Sequence, residues 1–208
     1  MSFEIRDVAP GLWLWRQRHP SWSEGDDWEG MVSSFAAESR GVSMVLDALA
    51  PPPSADQAWS RLDVMSPDLA LVLKPDHVRD VDLFVRRYGA KGYGPHLFWP
   101  DDVPRSELEP IFPGDELPGG VIVLRDARER LERPVYLPEQ RALVFADGLS
   151  GEQGVLRPWA TPWHEERVIP ALRELLELPF EHVLVSHGEP VHTRADFLDA
   201  LGREPWSG

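Results

Sequence analysis

Leu69-Ala70-Leu71-Val72-Leu73-Lys74-Pro75-Asp76-His77-Val78-Arg79-Asp80 is the stretch that decides the fold. Five apolar residues run without polar alternation, the signature of a short strand covered on both faces. A charged turn containing Pro75 stops that strand. Val78, Val81, Phe84, Val85 and Tyr88 then recur at helical spacing, and Gly89 stands where a C-cap belongs. Strand, charged turn and helix follow one another, so chemistry-bearing side chains collect at the strand's end, where sites tend to form. Three other places share the plan. Val45-Leu46 ends at Asp47, Leu143-Val144-Phe145 runs into Ala146-Asp147-Gly148, and Val183-Leu184-Val185 runs into Ser186-His187-Gly188-Glu189-Pro190.

Working outward, Leu12 to Trp15, Met31 to Ala37 and Val42 to Leu46 read as strands, and Leu97 to Trp99 as another short one. His19 to Gly30 carries Trp22 and Trp28 among Glu24, Asp26 and Asp27 and is too polar for a core element, so it reads as an exposed loop. Pro51 to Pro53 punctuates the chain, and the Pro- and acid-rich segment Pro100 to Gly120 connects two halves. The second half repeats the plan with strands at Val121 to Leu124, Val135 to Leu137, Ala142 to Ala146 and His182 to Val185. One helix carries Val168, Ile169, Leu172, Leu175 and Leu176 on one face and is stopped by Pro179. A last helix starts at Thr193, its N-cap, with Phe197, Leu198 and Leu201 inward. Strands followed by helices, twice over, predict an α/β protein with two sheets packed together and helices outside. No repeat of fixed period accompanies that duplication.

The 208 residues predict one domain with half-domains of roughly 1–110 and 111–208. With 42% apolar and 27% charged residues the chain belongs with folded globular proteins. Lys and Arg number 21 against 35 Asp and Glu, a formal charge of −14, which repels polyanions and predicts no nucleic-acid or anionic-membrane role. Cysteine is absent, so a metal would have to be held by His and carboxylates. Met1 to Pro10 has no apolar core of the kind a secretion signal carries, and no apolar run approaches the ~20 residues that span a bilayer. A cytoplasmic location is the resulting expectation. Gly148-Leu149-Ser150-Gly151 falls one residue short of a G-x-S-x-G nucleophile elbow, and no P-loop or G-x-G-x-x-G is present.

The order of these motifs resembles the metallo-β-lactamase superfamily. The likeness runs over nearly the whole chain: APGLWLW at 9–15, MVLDA at 44–48, PGDELPGG at 113–120, LPEQRALVFAD at 137–147 and VLVSHGEPV at 183–191. It implies a four-layer αββα sandwich and hydrolytic ancestry. That family carries a His-x-His-x-Asp-His turn, a later His, a bridging Asp after a strand and a closing Gly-His-Gly. Against this pattern Pro75 replaces the first His, His77 keeps the second, Arg79 replaces the Asp and Asp80 the last His. The segment DARERLERP at 126–134 offers no imidazole, whereas Asp147 matches the bridging Asp and His187 the terminal His. Three ligands cannot hold two ions. The resemblance therefore implies no metal, or one divalent ion (zinc, iron or manganese) on His77, Asp147 and His187, with Asp80 as a fourth carboxylate or general base.

Arg79 is expected to point inward, forked onto Asp147 or Asp80, supplying the positive charge a second ion would supply. Arg79, Asp80 and Asp147 are thus the candidate catalytic residues, and Trp22, Trp28, Trp159 and Trp163 the candidate pocket wall. Asp47 reads as a structural hydrogen-bond acceptor, His164 and Glu165 as a helix start, and Glu129 and Glu132 as a solvated face. His19, His96 and His164 are the imidazoles that could fold back to replace a missing ligand. The functional expectations are three. One is a small-molecule-binding protein with a degenerate centre that lacks two-metal hydrolysis; another is a one-metal hydrolase of an ester, lactone or thioester. The third is a non-enzymatic partner-binding protein. A homodimer paired through outer surfaces is implied by the resemblance alone.

Overall fold

The computed structural model describes residues 3–26 and 28–207; Asp27 of the polar loop and residues 1 and 2 of the N-terminal stretch lie outside the described residues. In chain order the first sheet is built from β1 (Phe3–Ala9), β2 (Leu12–Arg18), β3 (Met31–Ser39) and β4 (Val42–Leu46), then, after helix α1 (Asp56–Met65), from β5 (Leu69–Leu71). Helix α2 (Val81–Tyr88), β6 (Lys91–Gly94) and β7 (Glu109–Pro110) complete it. The second sheet draws on β8 (Glu116–Leu117), β9 (Val121–Val123), β10 (Val135–Leu137) and β11 (Ala142–Phe145). A two-stranded ribbon of β12 (Leu149–Ser150) and β13 (Arg157–Pro158) follows, then α3 (Ile169–Glu174), β14 (His182–Val185), β15 (Val191–Thr193) and α4 (Arg194–Ala200).

Period-two alternation explains the layering. Leu12 and Leu14 of β2 face the second sheet, joining Phe35, Met44, Leu46 and Leu71 against Val121, Val123, Val135, Leu137, Val144 and Leu184. Trp13 and Trp15, one residue out of phase, face the other way and pack with Leu62 of α1 and Val81 and Phe84 of α2. On the outer face of the second sheet Tyr136, Leu143, Phe145, Val183 and Val185 meet Val168, Leu172 and Phe197 from the α3 and α4 region. The result is helix, sheet, sheet, helix. The central strands, β5 and β11 among them, are covered on both sides, and each fully buried aliphatic side chain contributes about 1.5–3 kcal/mol, which is why these strands read as unbroken apolar runs.

The strand pairing positions the site. The first sheet is antiparallel through β4, whereas β4 and β5 run parallel with Leu46 opposite Leu71. In the second sheet β11 and β14 run parallel with Phe145 opposite Val185. Asp47, the 74–80 turn, Asp147 and His187 therefore all leave carboxyl ends of parallel strands, the place where α/β sheets gather ligands.

Several elements depart from the sequence reading. Leu97 to Trp99 is not a strand; Leu97 is 57% and Trp99 49% exposed. The true strand is Lys91-Gly92-Tyr93-Gly94, whose glycines let Leu108 and Phe98 pack directly on its backbone, so the apolar signal lies on other residues. Leu198 is 51% exposed rather than inward, while Phe197 is fully buried. Thr193 caps α4 as expected, its hydroxyl and the Asp196 carboxylate exchanging hydrogen bonds with each other's amides. Gly89 ends α2 at φ 69.

Candidate metal and ligand site

Asp47 ends β4 at φ 44 and is completely buried. Its Oδ1 accepts the Leu73 amide at 2.7 Å, and its Oδ2 lies 2.8 Å from His77 Nδ1. The acceptor role expected of Asp47 thus has a second consequence. With Nδ1–H given to a carboxylate, the ring is fixed and Nε2 faces away from it, toward Asp147 Oδ1 at 3.3 Å. His187 Nε2 approaches the same oxygen at 3.2 Å. Both contacts are poorly aligned, and Asp147 Oδ1 is buried without a hydrogen bond. His77, Asp147 and His187 each offer one ligand atom within 4.8 Å of the others.

Lys74 holds the other oxygen. Its ammonium lies 2.6 Å from Asp147 Oδ2 and 2.5 Å from Asp76 Oδ2, and Arg128 approaches Asp147 Oδ2 at 4.0 Å. Burial favours protonation of the Asp147 carboxyl, but His77 and His187 outweigh it and hold the group well below the usual carboxylate range. Burial lowers His77, yet Asp147 and Asp47 lift it to about 9. His187 is lowered, chiefly by burial. To serve as a ligand His77 must give up its Nε2 proton.

The remaining expected site residues divide. Arg79 does line the cavity beside the trio, but it is not forked onto Asp147 or Asp80. Its Nη1 donates instead to the carbonyls of Ser33 at 2.8 Å and Asp47 at 2.5 Å. Asp80 is turned elsewhere: its Oδ2 accepts the Ala50 amide at 2.7 Å, tying the start of α2 to the loop after β4, and it is not among the converging ligand atoms. Trp28 and Trp159 line the cavity with His19, Val32 and Asp76, and the Trp28 ring meets His187 edge-on. Trp22 stacks under Arg18 and donates to the Trp28 carbonyl, and Trp163 is exposed with Arg167 over it. Of the three spare imidazoles only His19 reaches the cavity; burial, together with Arg79, lowers it to about 4. His96 stacks on Phe112.

Glu132 is the opposite of a solvated residue. It is completely buried, its Oε1 accepts the Ala146 amide at 2.8 Å, and its Oε2 lies 3.6 Å from Arg128. Gly148 packs so closely that a Cβ would press on this carboxylate. The helix-like spacing of Glu129 and Glu132 is misleading because Asp126 gathers the amides of Arg128, Arg130 and Glu132 into a loop. Burial pushes the Glu132 carboxyl up to about 8; Arg128 opposes the shift, and Asp126 and Asp147 add to it. A folded acid that keeps its proton to about 8, against 4.5 unfolded, costs stability as pH rises between those values, by at most about 1.4 kcal/mol per unit. Glu132→Gln removes that slope. Urea midpoints at pH 5 and pH 8 should show the variant gaining on the parent by more than about 1 kcal/mol; a constant difference would show that the carboxyl is ionised throughout.

No family model matches the sequence, and no curated protein matches it. The architecture has many matches among solved structures. The metallo-β-lactamase FIM-1 from Pseudomonas aeruginosa in its mono-zinc form is 16% identical over 97% of this chain and 94% of that one, at a TM-score of 0.67. This chain has the metallo-β-lactamase fold. A metallo-β-lactamase from Pontibacter korlensis, 14% identical, aligns over 98% of this chain and all 100% of its own, at a TM-score of 0.65. A metallo-β-lactamase family protein from Thermus thermophilus is 16% identical over 93% of this chain and 77% of its own, at 0.64. Within that fold the chain presents a three-residue candidate metal site, and no helix among the described residues is long and apolar enough to cross a membrane.

Proposed function

We propose that this chain binds a small molecule in the cavity beside His77, Asp147 and His187, and that its centre accepts one divalent ion rather than two. The observation that carries this reading is the Lys74 ammonium on Asp147 Oδ2. An ammonium held on one oxygen of that carboxylate blocks a bridge through both oxygens and repels a second cation beside the first. One ion is a different matter. Two imidazole nitrogens and a carboxylate oxygen suit zinc, iron or manganese, the Asp47 carboxylate behind His77 is the support such ligands need, and Asp147 Oδ1 lacks a well-directed partner.

A divalent ion at this position would supply Lewis-acid polarisation of an acyl group. Asp47 orients His77, and Lys74 and Arg128 stabilise the Asp147 carboxylate. Trp28 and Trp159 exclude water from one side of the cavity. Hydrolysis of an ester, lactone or thioester at a single ion is the second reading, favoured by the Asp47–His77 pair. Metal analysis by mass spectrometry on untagged protein purified without chelators should return one equivalent of divalent ion, lost in His187→Ala. Two equivalents would overturn the reading. The hydrolytic alternative stands only if esterase, lactonase or thioesterase turnover accompanies that ion and vanishes in Asp147→Ala.

A further inference from the structure

We infer that the cavity recognises the carboxylate of a small organic acid and that Arg79 is its anchor. The inference rests on the cavity being the ligand site, as proposed above, but not on its metal content.

Every other cation at the site has a carboxylate within ion-pair distance: Lys74 has Asp76 and Asp147, Arg128 has Asp147, and His77 has Asp47 and Asp147. Arg79 has none within ion-pair distance among the described residues. Its hydrogen bonds go to the two backbone carbonyls of Ser33 and Asp47, both taken by Nη1. Asp47, Asp147, Asp76 and Asp80 act on the guanidinium from beyond ion-pair distance, and none of their carboxylates accepts a hydrogen bond from it. The backbone reinforces the point, because Arg79 is held at φ 45, a region that costs a non-glycine residue about 1–2 kcal/mol. A strained backbone and guanidinium donors left without an acceptor, at one residue lining a cavity, indicate that a ligand completes the arrangement.

The chemistry of that ligand follows from what surrounds the guanidinium. With Nη1 committed to the protein, Nε and Nη2 remain as a two-donor edge, which matches the two oxygens of a carboxylate. With four carboxylates already acting on the guanidinium, a ligand of single negative charge is the most the site accommodates. A phosphate dianion would leave a second charge beside Asp76 and Asp147, which line the same cavity. The other walls are Trp28, Trp159 and Val32, with His19 kept neutral at pH 7, so the rest of the ligand meets aromatic and aliphatic surface. The cavity measures about 260 Å³, just below the roughly 300 Å³ at which pockets for drug-sized ligands start, so it suits a smaller molecule.

Titration calorimetry with benzoate, phenylacetate and 3-phenylpropionate tests this directly, on protein as purified and again after chelation. At least one of the acids should bind in both states, and its neutral amide should bind at least tenfold more weakly to the same wild-type protein. Arg79→Gln should lose the same factor, with Arg79→Lys intermediate because it keeps the charge without the fork. Equal binding of acid and amide, undiminished binding by Arg79→Gln, or no binding by any of the three acids would overturn the inference. Inorganic phosphate binding more tightly than the acids would overturn the carboxylate assignment. Ion stoichiometry is read separately: two ions per chain would reject the preceding proposal, whereas failed acid binding with one ion in place would reject this one.

Discussion

Asp147→Asn should melt roughly 6–12 °C below the parent protein, taking about 3 kcal/mol at 2–4 °C per kcal/mol for a chain of this size. The same change should abolish ion uptake. A single carboxylate here serves Lys74, His77, His187 and Arg128. Removing one partner of a buried ion pair costs about 3–5 kcal/mol, mostly for the charge left behind. Lys74 keeps Asp76 at 2.5 Å, which places the cost at the lower end, whereas Arg128 is left beside a Glu132 carboxyl that holds its proton. His77 retains Asp47, so its ring stays oriented, yet it loses the charge that does most to hold its proton. Calorimetric melting of chelator-treated protein isolates this electrostatic cost from any contribution of a bound ion. A melting temperature within about 2 °C of the parent, less than 1 kcal/mol at this chain length, would mean that the cluster is solvated and that Lys74 does not neutralise Asp147.

The layers were legible because burial on both faces writes a strong signal. Val42–Leu46, Val135–Leu137 and His182–Val185 coincide with apolar runs, and the alternation of Leu12 and Leu14 with Trp13 and Trp15 separates the inner from the outer face. Elements that bury little of their own apolar surface were invisible. β6 contains two glycines and is covered by side chains from elsewhere, and β1 is an edge strand of half-buried residues. Helix α1 does carry Ala58, Leu62 and Met65 at helical spacing, but it follows the prolines at 51–53, which drew attention to a break rather than a beginning.

The site was legible to the extent that strand ends mark it. His77, Asp147 and His187 each follow an apolar run and do converge. Lys74 lies in the same turn and was not singled out, since nothing local distinguishes a solvated lysine from one folded onto a distant aspartate. The nearest signal was its place directly after Leu73, where a long cation has the strand's own end to shield it; it is 7% exposed. Arg79 was expected to seek a carboxylate because charge complementarity is the only partner rule a sequence supplies. The structure satisfies its Nη1 with backbone carbonyls, an arrangement no residue-type pattern encodes.

Gly188→Ala should be the most damaging single change at the site, above the 0.5–3 kcal/mol of ordinary substitutions and at roughly 4 kcal/mol or more. Gly188 follows His187 at φ 75 and forms a parallel bridge with Gly151. A Cβ there would fall inside 3.0 Å of Gly151 C, Gly151 O and Glu152 N, all backbone atoms that cannot rotate away. Two hydrogen bonds lock the approach, Gly151 N–H to His187 O at 2.9 Å and Glu189 N–H to Gly151 O at 2.8 Å. On the other side the Ser33 amide donates to Ser186 O at 2.9 Å, and Val32 bridges to His187, so the turn cannot drift toward β3 either. Gly154 supplies the control. It has the same φ of 75 with nothing within 4 Å of its Cβ position, so Gly154→Ala carries only the backbone cost of about 1–2 kcal/mol. Urea midpoints of the two variants should therefore differ by more than about 2 kcal/mol, the crowding term alone. Equal losses would show that the turn after β14 has room to relax, and the crowded bridge could then not be what fixes the His187 imidazole against Asp147.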